Sequence, residues 1–352
     1  MEKLMSKIAV MADDFVKNEQ VCAISVGVIT NNKSYHYQSG YQQLLPEVIK
    51  LSEEPIFDLA SLTKVTTTLL LVLKLIEEKR LSLDTKICSI LSDYPHKETD
   101  VLELLTHTSG LPSDDKRYKS CKNKDEIYAF IKALPESYVA KQQVLYSCFN
   151  YLILGFVIEK LVGDMQAYAH KVIWEPLDMG DTDFNPAKSL KERCVATEIS
   201  SERGLIKGEV HDGKAYICGG VAGNAGVFSS LKDLFNLATM FLNEGVFQGK
   251  IIFKPETMAL LNKVYTPGLN QKRTLGWYFG DEISQFAQND SDSALYHTGF
   301  TGTSMYIDQA RKCAIIILTN RVHPSRSNDN ISMIRNNVHK LIIDSLDGLD
   351  LV

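Results

Sequence analysis

A serine followed three positions later by a lysine is the spacing in this chain that could do chemistry most directly. Residues three apart lie on one face of a helix, so the lysine can take the proton of the serine hydroxyl. The lysine must first lose its own proton, which burial or a neighbouring cation favours, and the serine then becomes a nucleophile for acyl transfer. Three pairs have this spacing, and they are Ser61/Lys64, Ser113/Lys116 and Ser229/Lys232.

Two of these pairs are predicted to have structural roles. Ser113 follows Pro112 and precedes two aspartates, which is typical of an exposed polar loop. Ser229 precedes a helical pattern, and the neighbouring Ser230 and Asp233 have the spacing of a helix cap, which needs no chemistry. Neither pair is therefore our candidate for the nucleophile.

Ser61 stands in a different context. An apolar extended segment, residues 56–60, leads into it, and a long apolar helical pattern, residues 61–79, begins with it. The amides at a helix start stabilise negative charge, which suits a serine that attacks a carbonyl group. The alternative is that Ser61 only caps this helix, which is the commoner role for a serine at such a position. Ser61 and Lys64 are thus the candidate pair, with capping as the competing interpretation.

Two further segments could contribute to such a site. Tyr146 precedes a helical pattern at 149–161, so its phenol could project from a helix start, although a tyrosine there is commonly a packing residue. The run from His297 to Gly302 lies where a strand pattern starts, and its glycines would let a ligand approach the backbone closely. A β-bulge explains the same glycines.

The order of the helical and strand patterns predicts the fold class. Patterns of period two cover residues 22–30, 34–40, 274–280, 303–308 and 313–320. Helical patterns cover 2–18, 328–346 and much of the middle of the chain. We therefore expect an α+β fold, in which an antiparallel β-sheet is flanked by helices and a mostly helical region is inserted. We expect residues 1–60 and 266–352 to form the sheet domain, and 61–265 to form the helical region that carries the nucleophile.

The composition argues against several classes of protein. The chain has 352 residues, a net charge of −5 and a pI near 5.9, whereas a nucleic-acid partner requires a basic face. No apolar window reaches the roughly 18 residues of a membrane span, and no signal peptide is visible. The seven cysteines are odd in number and include no C-x-x-C pair, which predicts reduced thiols and a cytoplasmic location.

The sequence also lacks the marks of several common enzyme classes. It has no G-x-S-x-G elbow, no H-E-x-x-H zinc motif and no phosphate-binding loop. We therefore expect no metal and no organic cofactor, and we expect a small-molecule substrate as the partner.

Together, the three segments resemble a known family. The S-x-x-K at Ser61, the tyrosine at Tyr146 and the H-T-G at His297 are similar in order and spacing to the motifs of class C β-lactamases and their esterase and penicillin-binding relatives. Other segments that resemble the family are residues 57–64, 104–111, 220–226 and 297–303. The likeness runs from about residue 20 to about residue 345 and implies a β-lactamase/transpeptidase-like fold.

The resemblance implies a role for each catalytic position. Ser61 would attack a carbonyl group and form an acyl-enzyme, which water would later hydrolyse. Lys64 and Tyr146 would share the role of general base, and nearby positive charge would favour a phenolate-like Tyr146. The backbone amides of Ser61 and Phe300 would form an oxyanion hole.

The resemblance also implies substrate-binding residues. His297 replaces the commoner lysine, and it would orient Tyr146 or bind a substrate anion, with a charge that varies around neutral pH. Thr298 would line the substrate cleft. The predicted set is Cys148, His297, Thr298, Gly299 and Phe300.

One position departs from the family pattern. Where the family has Tyr-x-Asn, this chain has Tyr146-Ser147-Cys148, and a thiol is a weak hydrogen-bonding partner. Asn150 lies two residues further on and should face another side of the helix. The departure disfavours efficient β-lactam hydrolysis while leaving the serine, lysine and tyrosine in place.

A second possible triad is His107 with Ser109 and Asp114. Because the segment around His107 resembles a structural turn of the family, we predict that this histidine satisfies backbone groups in a loop.

The sequence thus predicts a serine hydrolase that acts through an acyl-enzyme on a β-lactam or a related amide or ester. An intracellular carboxylesterase or a D-amino-acid peptidase of the same fold is an alternative. A non-hydrolysing penicillin-binding or sensor module is an alternative of another class, which only Cys148 supports.

Overall fold

The strands of the main sheet come from the two ends of the chain. The computed structural model describes residues 1–280, 291 and 293–347. The strands, in chain order, are β1 (Ala23–Thr30), β2 (Lys33–Gln43), β3 (Ile49–Lys50), β4 (Ile56–Asp58), β5 (Ile199–Ser200), β6 (Gly204–Leu205), β7 (Phe228–Ser230), β8 (Val246–Phe247), β9 (Lys250–Ile251), β10 (Tyr278–Phe279), β11 (Leu295–Thr298), β12 (Ser304–Asp308) and β13 (Cys313–Thr319).

The helices lie at both ends and through the middle of the chain. They are α1 (Glu2–Lys17), α2 (Leu69–Glu77), α3 (Val101–Thr106), α4 (Lys124–Lys132), α5 (Cys148–Val162), α6 (Met165–Ala169), α7 (Lys188–Lys191), α8 (Gly213–Ile217), α9 (Leu231–Leu242), α10 (Pro255–Met258) and α11 (Ile331–Asp347). Short 3₁₀ segments are Ala60–Leu62, Ile87–Ser89, Lys116–Ser120 and Ala259–Asn262, and π-helical turns are Lys64–Thr68 and His170–Trp174.

Seven strands form one antiparallel sheet. Their order is β10-β11-β12-β13-β1-β2-β3, and every neighbouring pair is antiparallel. The contact between β1 and β13 joins the start of the chain to its end, with Val26 opposite Ile317. The α+β class and the antiparallel sheet are therefore confirmed, while the division of the chain at residues 60 and 265 stays a prediction.

The sheet packs against helices on both faces. On one face, α1 and α11 bury Leu4, Ile8 and Ile334 in a cluster with Val26 and Val28 of β1. A side chain alternates from face to face along a strand, so residue 27 points the other way. It is a glycine, and a Cβ there would lie 2.7 Å from the Leu231 side chain. The absence of a side chain at Gly27 thus lets α9 pack closely against the second face.

Two predicted elements differ from the observed ones. The segment 274–280 was expected to be a strand, but only Tyr278–Phe279 pairs with β11. Gly276 has a φ of +80°, which interrupts the extended backbone. The helix expected at 61–79 is divided into a 3₁₀ turn, a π-helical turn and α2. None of the helices in the described part of the chain is long and apolar enough to cross a membrane.

Candidate active site

A sharp turn after β4 presents Ser61. Ala60 has a φ of +47°, a conformation that a non-glycine residue rarely adopts. The buried carboxylate of Asp58 accepts hydrogen bonds from the amide of Ala60 at 2.8 Å and from the amide of His211 at 2.7 Å. These bonds hold the strained turn in place, and strain of this kind is typical of functional sites.

Lys64 lies directly against Ser61. Its ammonium nitrogen donates to Ser61 Oγ at 2.9 Å and to the backbone carbonyl of Asn224 at 2.8 Å. It also lies 3.7 Å from Cys148 Sγ and 5.1 Å from the centre of the Tyr146 ring. Lys64 is fully buried. The serine, the lysine and the tyrosine predicted from the sequence are therefore brought together, and Ser61 accepts the bond from Lys64 rather than capping a helix.

The lysine and the tyrosine influence each other's protonation. Burial is the largest influence on the pKa of Lys64 and lowers it, but Cys148, Tyr146 and Asp212 together raise it above the ordinary value. Burial raises the pKa of Tyr146, and the nearby Lys64 opposes that rise only in part. Both groups therefore hold their protons at neutral pH in this arrangement. The expected phenolate-like Tyr146 is thus wrong for the resting site, because burial outweighs the lysine charge.

Two imidazoles and a guanidinium surround the Tyr146 ring. The ring centre of His107 lies at 4.5 Å, that of His297 at 6.0 Å, and Cζ of Arg273 at 6.0 Å. Burial, followed by the charges of Arg273 and Lys64, lowers the pKa of both histidines well below the ordinary value. The expectation that the charge of His297 varies around neutral pH is therefore wrong, since a buried imidazole in this field stays neutral.

An open cleft of about 560 Å³ leads to the serine. Ser61, Tyr146, Cys148 and Phe300 line it. Its other walls carry four acidic and four basic side chains, which are Asp114, Glu198, Glu202, Asp212, Lys119, Arg203, Lys214 and Arg326. The cleft therefore carries charged groups of both signs beside the nucleophile candidate.

The predicted substrate-binding residues divide into two groups. Cys148 and Phe300 line the cleft, and Phe300 is 48% exposed. His297 and Gly299 are buried and Thr298 is half-buried, and none of the three is part of the cleft lining among the described residues. His297 Nδ1 lies 2.9 Å from the carbonyl of Thr298, and its Nε2 is buried without a hydrogen-bond partner among the described residues.

Hydrogen bonds join the turn after β11 to the turn after β4. Thr301 Oγ1 donates to the carbonyl of Asp58 at 2.7 Å, and Thr303 Oγ1 donates to that of Leu59 at 3.0 Å. Within the part of the chain that the structure describes, the amides of Ser61 and Phe300 donate to no acceptor. Two free N–H groups on two connected turns are an arrangement that can bind an oxyanion.

The second triad candidate does not assemble. His107 Nδ1 accepts a hydrogen bond from the amide of Ser147 at 3.2 Å, and Ser109 donates to Asn150 at 2.6 Å. Asp114 pairs instead with Lys214 at 2.9 Å. His107 thus satisfies a backbone group, as the sequence predicted, and Asn150 contacts buried neighbours.

Sequence reasoning did not identify four polar residues near the site. The carbonyl of Asn224 accepts from Lys64, its side chain donates to Asp212 at 3.0 Å, and Lys214 lies in the cleft wall. Arg273 is fully buried, and its Nε and Nη1 have no hydrogen-bond partner among the described residues. The glycine-rich segment 220–226 was a signal for Asn224, whereas no local spacing points to the other three.

Comparisons with known proteins identify the family of this chain. The family model of the β-lactamases matches residues 9–337. An N-acetylmuramyl-L-alanine amidase of Bacillus subtilis strain 168 is 30% identical, over 84% of this chain and 75% of the relative. A putative D-alanyl-D-alanine carboxypeptidase of Escherichia coli K12 is 29% identical, over 80% and 72% of the two chains.

Solved structures of the same fold are similar over nearly the whole chain. A class C β-lactamase superposes with a TM-score of 0.78 at 19% identity, covering 98% of each chain. An octameric penicillin-binding protein homologue from Pyrococcus abyssi superposes with a TM-score of 0.75 at 23% identity, covering 97% of this chain and 77% of the other. The chain belongs to the β-lactamase family of serine hydrolases.

Proposed function

We propose that this protein hydrolyses an amide bond in a D-alanyl peptide or a related wall peptide, through an acyl-enzyme on Ser61. The observation that carries the proposal is the 2.9 Å hydrogen bond between Lys64 and Ser61 Oγ, where Ser61 lines an open cleft. A buried lysine beside a solvent-accessible serine is the arrangement that nucleophilic acyl transfer requires.

The first half-reaction would proceed as follows. Ser61 Oγ attacks the carbonyl carbon, and its proton passes to the Lys64–Tyr146 pair, once that pair has lost a proton. The carbonyl oxygen becomes an oxyanion, which the amides of Ser61 and Phe300 bind. The carbon–nitrogen bond then breaks, and the leaving amine takes the proton from the pair. Water repeats the sequence on the ester and releases the free acid.

The protonation of Lys64 and Tyr146 determines how kcat/KM should depend on pH. The pKa of Lys64 is raised, chiefly by Cys148 and Tyr146 against the effect of burial, and burial raises that of Tyr146. Acylation requires the pair to lose one proton, so kcat/KM should rise with pH on the alkaline side of neutrality. A pH profile with its acidic limb near 6.5 would point to a histidine base and would contradict this assignment.

The cleft favours a charged peptide over an apolar ester. Its walls hold ion pairs such as Glu198 with Arg326, whose Oε1 and Nε lie 2.8 Å apart, and Asp114 with Lys214. Ionic groups of both signs suit a substrate that carries its own charges and amides. The names of the amidase and carboxypeptidase relatives support the same substrate class.

The test is steady-state kinetics on the wild type and Ser61→Ala with three substrates. These are a peptide ending in D-alanyl-D-alanine, a short nitrophenyl ester and a chromogenic cephalosporin. We expect Ser61-dependent release of D-alanine, with a kcat/KM above that for the cephalosporin. Turnover of the ester alone would favour a carboxylesterase. Stoichiometric labelling by penicillin without turnover of any substrate would favour the sensor module.

We also propose that the protein works in the cytoplasm, where thiols stay reduced. All seven cysteines are unpaired, which supports a reducing compartment. Fractionation of cells that express the native gene tests this, and recovery outside the cytoplasm would contradict it.

A further inference from the structure

One arginine of the C-terminal helix binds the turn that carries the Phe300 amide. Arg335, on α11, donates from Nη2 to the carbonyl of Gly299 and to the carbonyl of Thr303, each at 2.7 Å. Hydrogen bonds from a charged donor are shorter and about twice as strong as neutral ones. The guanidinium of Arg335 thus fixes both ends of the turn between β11 and β12.

The environment of Arg335 leaves these carbonyls as its main partners. The titratable groups that influence it most are Tyr296 and Arg321, neither of which is a carboxylate, and burial lowers its pKa. Its Nε is buried without a hydrogen-bond partner among the described residues. A guanidinium keeps its proton even so. Among the described residues no carboxylate is paired with Arg335, so its charge acts on the peptide groups it touches.

The carbonyl of Gly299 belongs to the same peptide unit as the N–H of Phe300. When a peptide carbonyl accepts a strong hydrogen bond, the unit is polarised and its N–H becomes a stronger donor. The Phe300 N–H is free within the described residues. A cation at the Gly299 carbonyl therefore strengthens the donor that would bind the oxyanion.

A second arginine holds the same turn through the next peptide unit. Arg321 Nε donates to the carbonyl of Phe300 at 2.9 Å. That carbonyl shares its peptide unit with the N–H of Thr301 rather than that of Phe300. Arg321 thus provides a comparison, since it also anchors the turn through a carbonyl but polarises a peptide unit that the oxyanion does not contact.

We propose that Arg335 is a positioning residue for the reaction, which acts by polarising the Gly299–Phe300 peptide and so strengthens the oxyanion hole. This inference rests on the proposed function. It assigns to the last helix of the chain a role in binding the transition state, although Arg335 itself does not touch the substrate.

The test compares Arg335→Met, Arg335→Lys and Arg321→Met with the wild type. The readouts are kcat and KM for the D-alanyl peptide or the nitrophenyl ester, and the affinity for a peptidyl boronic acid, which forms a tetrahedral adduct with a serine. Removing an oxyanion donor outright costs about 10²–10³ in rate. Weakening one should cost less, so we expect Arg335→Met to lower kcat by about 10- to 100-fold with little change in KM.

The comparison of variants separates polarisation from anchoring. Boronate affinity should fall by the same factor as kcat in Arg335→Met, fall by a smaller factor in Arg335→Lys, and change less than about threefold in Arg321→Met. Equal losses in Arg335→Met and Arg321→Met, or a change confined to KM, would overturn the proposal. If Arg335→Met fails to fold, Arg335→Lys decides: its single ammonium should lower boronate affinity by about three- to tenfold, and no loss contradicts the inference.

The boronate measurement also distinguishes this inference from the proposed function. It requires no turnover, so an error in the substrate class leaves the test intact. A wild-type protein that forms no adduct at Ser61 at all would instead contradict the proposed function, and the role of Arg335 would fall with it.

Discussion

Two strand-to-helix junctions of this protein carry the same S-x-x-K motif, and only one of them brings the two side chains together. The strands that precede them, β4 and β7, pair with each other, with Phe57 opposite Ser229. At the first junction Lys64 donates to Ser61 at 2.9 Å and is fully buried. At the second, Ser229 Oγ lies 2.8 Å from Thr182 Oγ1, and Lys232 is exposed.

The difference follows from where each helical segment begins. Ser61 already lies in the 3₁₀ turn Ala60–Leu62, so it and Lys64 are one helical turn apart on the same face. Ser229 is still part of a strand, and α9 begins only at Leu231. A lysine three positions after a strand residue points elsewhere. In this chain the motif therefore brings the serine and the lysine together only where the serine is already in a helical turn.

The largest contrast should be between the two serines themselves. Ser61→Ala should lower kcat by about 10⁴-fold or more, as loss of a nucleophile does in comparable enzymes. Ser229→Ala should leave kcat within about twofold and lower the free energy of unfolding by about 1 kcal/mol, because it loses the bond to Thr182. Steady-state kinetics and urea unfolding of both variants measure this. An inactive but folded Ser229→Ala would break the comparison.

The second-largest contrast should be between the effects of replacing Lys64 and Lys232 on the rate of acylation. Lys64→Met removes the group that we propose takes the serine proton, so the rate of acylation by a nitrophenyl ester should fall by about 10²- to 10⁴-fold. Lys232→Met removes an exposed charge at the second junction and should leave that rate unchanged. Stopped-flow measurement of the acylation burst gives both numbers. Equal rates for Lys64→Met and the wild type would show that another group is the base.

The sequence predicted the features that depend on the order of elements along the chain. It did not predict contacts between residues that are distant in the sequence. The antiparallel sheet followed from period-two patterns at both termini, and Ser61 followed from the apolar segment that leads into a helix. Asn224 and Arg273 could not be found in this way, because they approach Lys64 and Tyr146 from distant parts of the chain. Such contacts depend on how the elements pack, which no local spacing encodes.

The protonation states were also beyond the sequence. His297 was expected to titrate near neutral pH, since an exposed imidazole does so. The structure buries it beside Lys64 and Arg273, and this combination lowers its pKa well below the ordinary value. For Tyr146 the sequence correctly suggested a nearby cation, but burial, which it could not measure, has the greater effect.

Replacing Cys148, which lies beside Lys64, should have a smaller effect on kcat/KM than replacing Ser61. Cys148 lies 3.7 Å from Lys64 and lines the cleft at the position where the family has asparagine. An amide there could bond to both the lysine and a substrate carbonyl or amide. Cys148→Asn should raise kcat/KM for a cephalosporin by about tenfold, the value of one good hydrogen bond, and should raise that for a nitrophenyl ester less. An equal change of kcat/KM for both substrates, or no change, would show that Cys148 does not limit β-lactam hydrolysis.

A histidine of β11 near the first junction and an aspartate at the second should change the free energy of unfolding with pH in opposite directions. Because the pKa of His297 is lowered by burial, the unfolded chain binds a proton below pH 6.5 that the native protein does not, and stability falls as the pH falls. Burial raises the pKa of Asp233, at the second junction, to about 6. The stability that the protonated Asp233 contributes is therefore lost as the pH rises from about 3.8 through 6. Each effect has a slope of about 1.4 kcal/mol per pH unit.

Urea unfolding between pH 4.5 and 7.5 separates these contributions. His297→Gln should make the free energy of unfolding less dependent on pH below 6.5, whereas Asp233→Asn should make the loss of stability on acidification steeper. The wild type is the control for both variants. If both substitutions changed the pH dependence of the free energy of unfolding in the same direction, the assigned protonation states would be contradicted.

The most direct test of the account is to identify the residue that becomes acylated. The wild-type protein is incubated with a penicillin or a fluorophosphonate, and the adduct is located by peptide mass spectrometry. We expect a single adduct on Ser61, which is absent from Ser61→Ala. An adduct on Ser113, Ser229 or Cys148, or labelling that persists in Ser61→Ala, would contradict the claim that Ser61 and Lys64 form the nucleophilic centre.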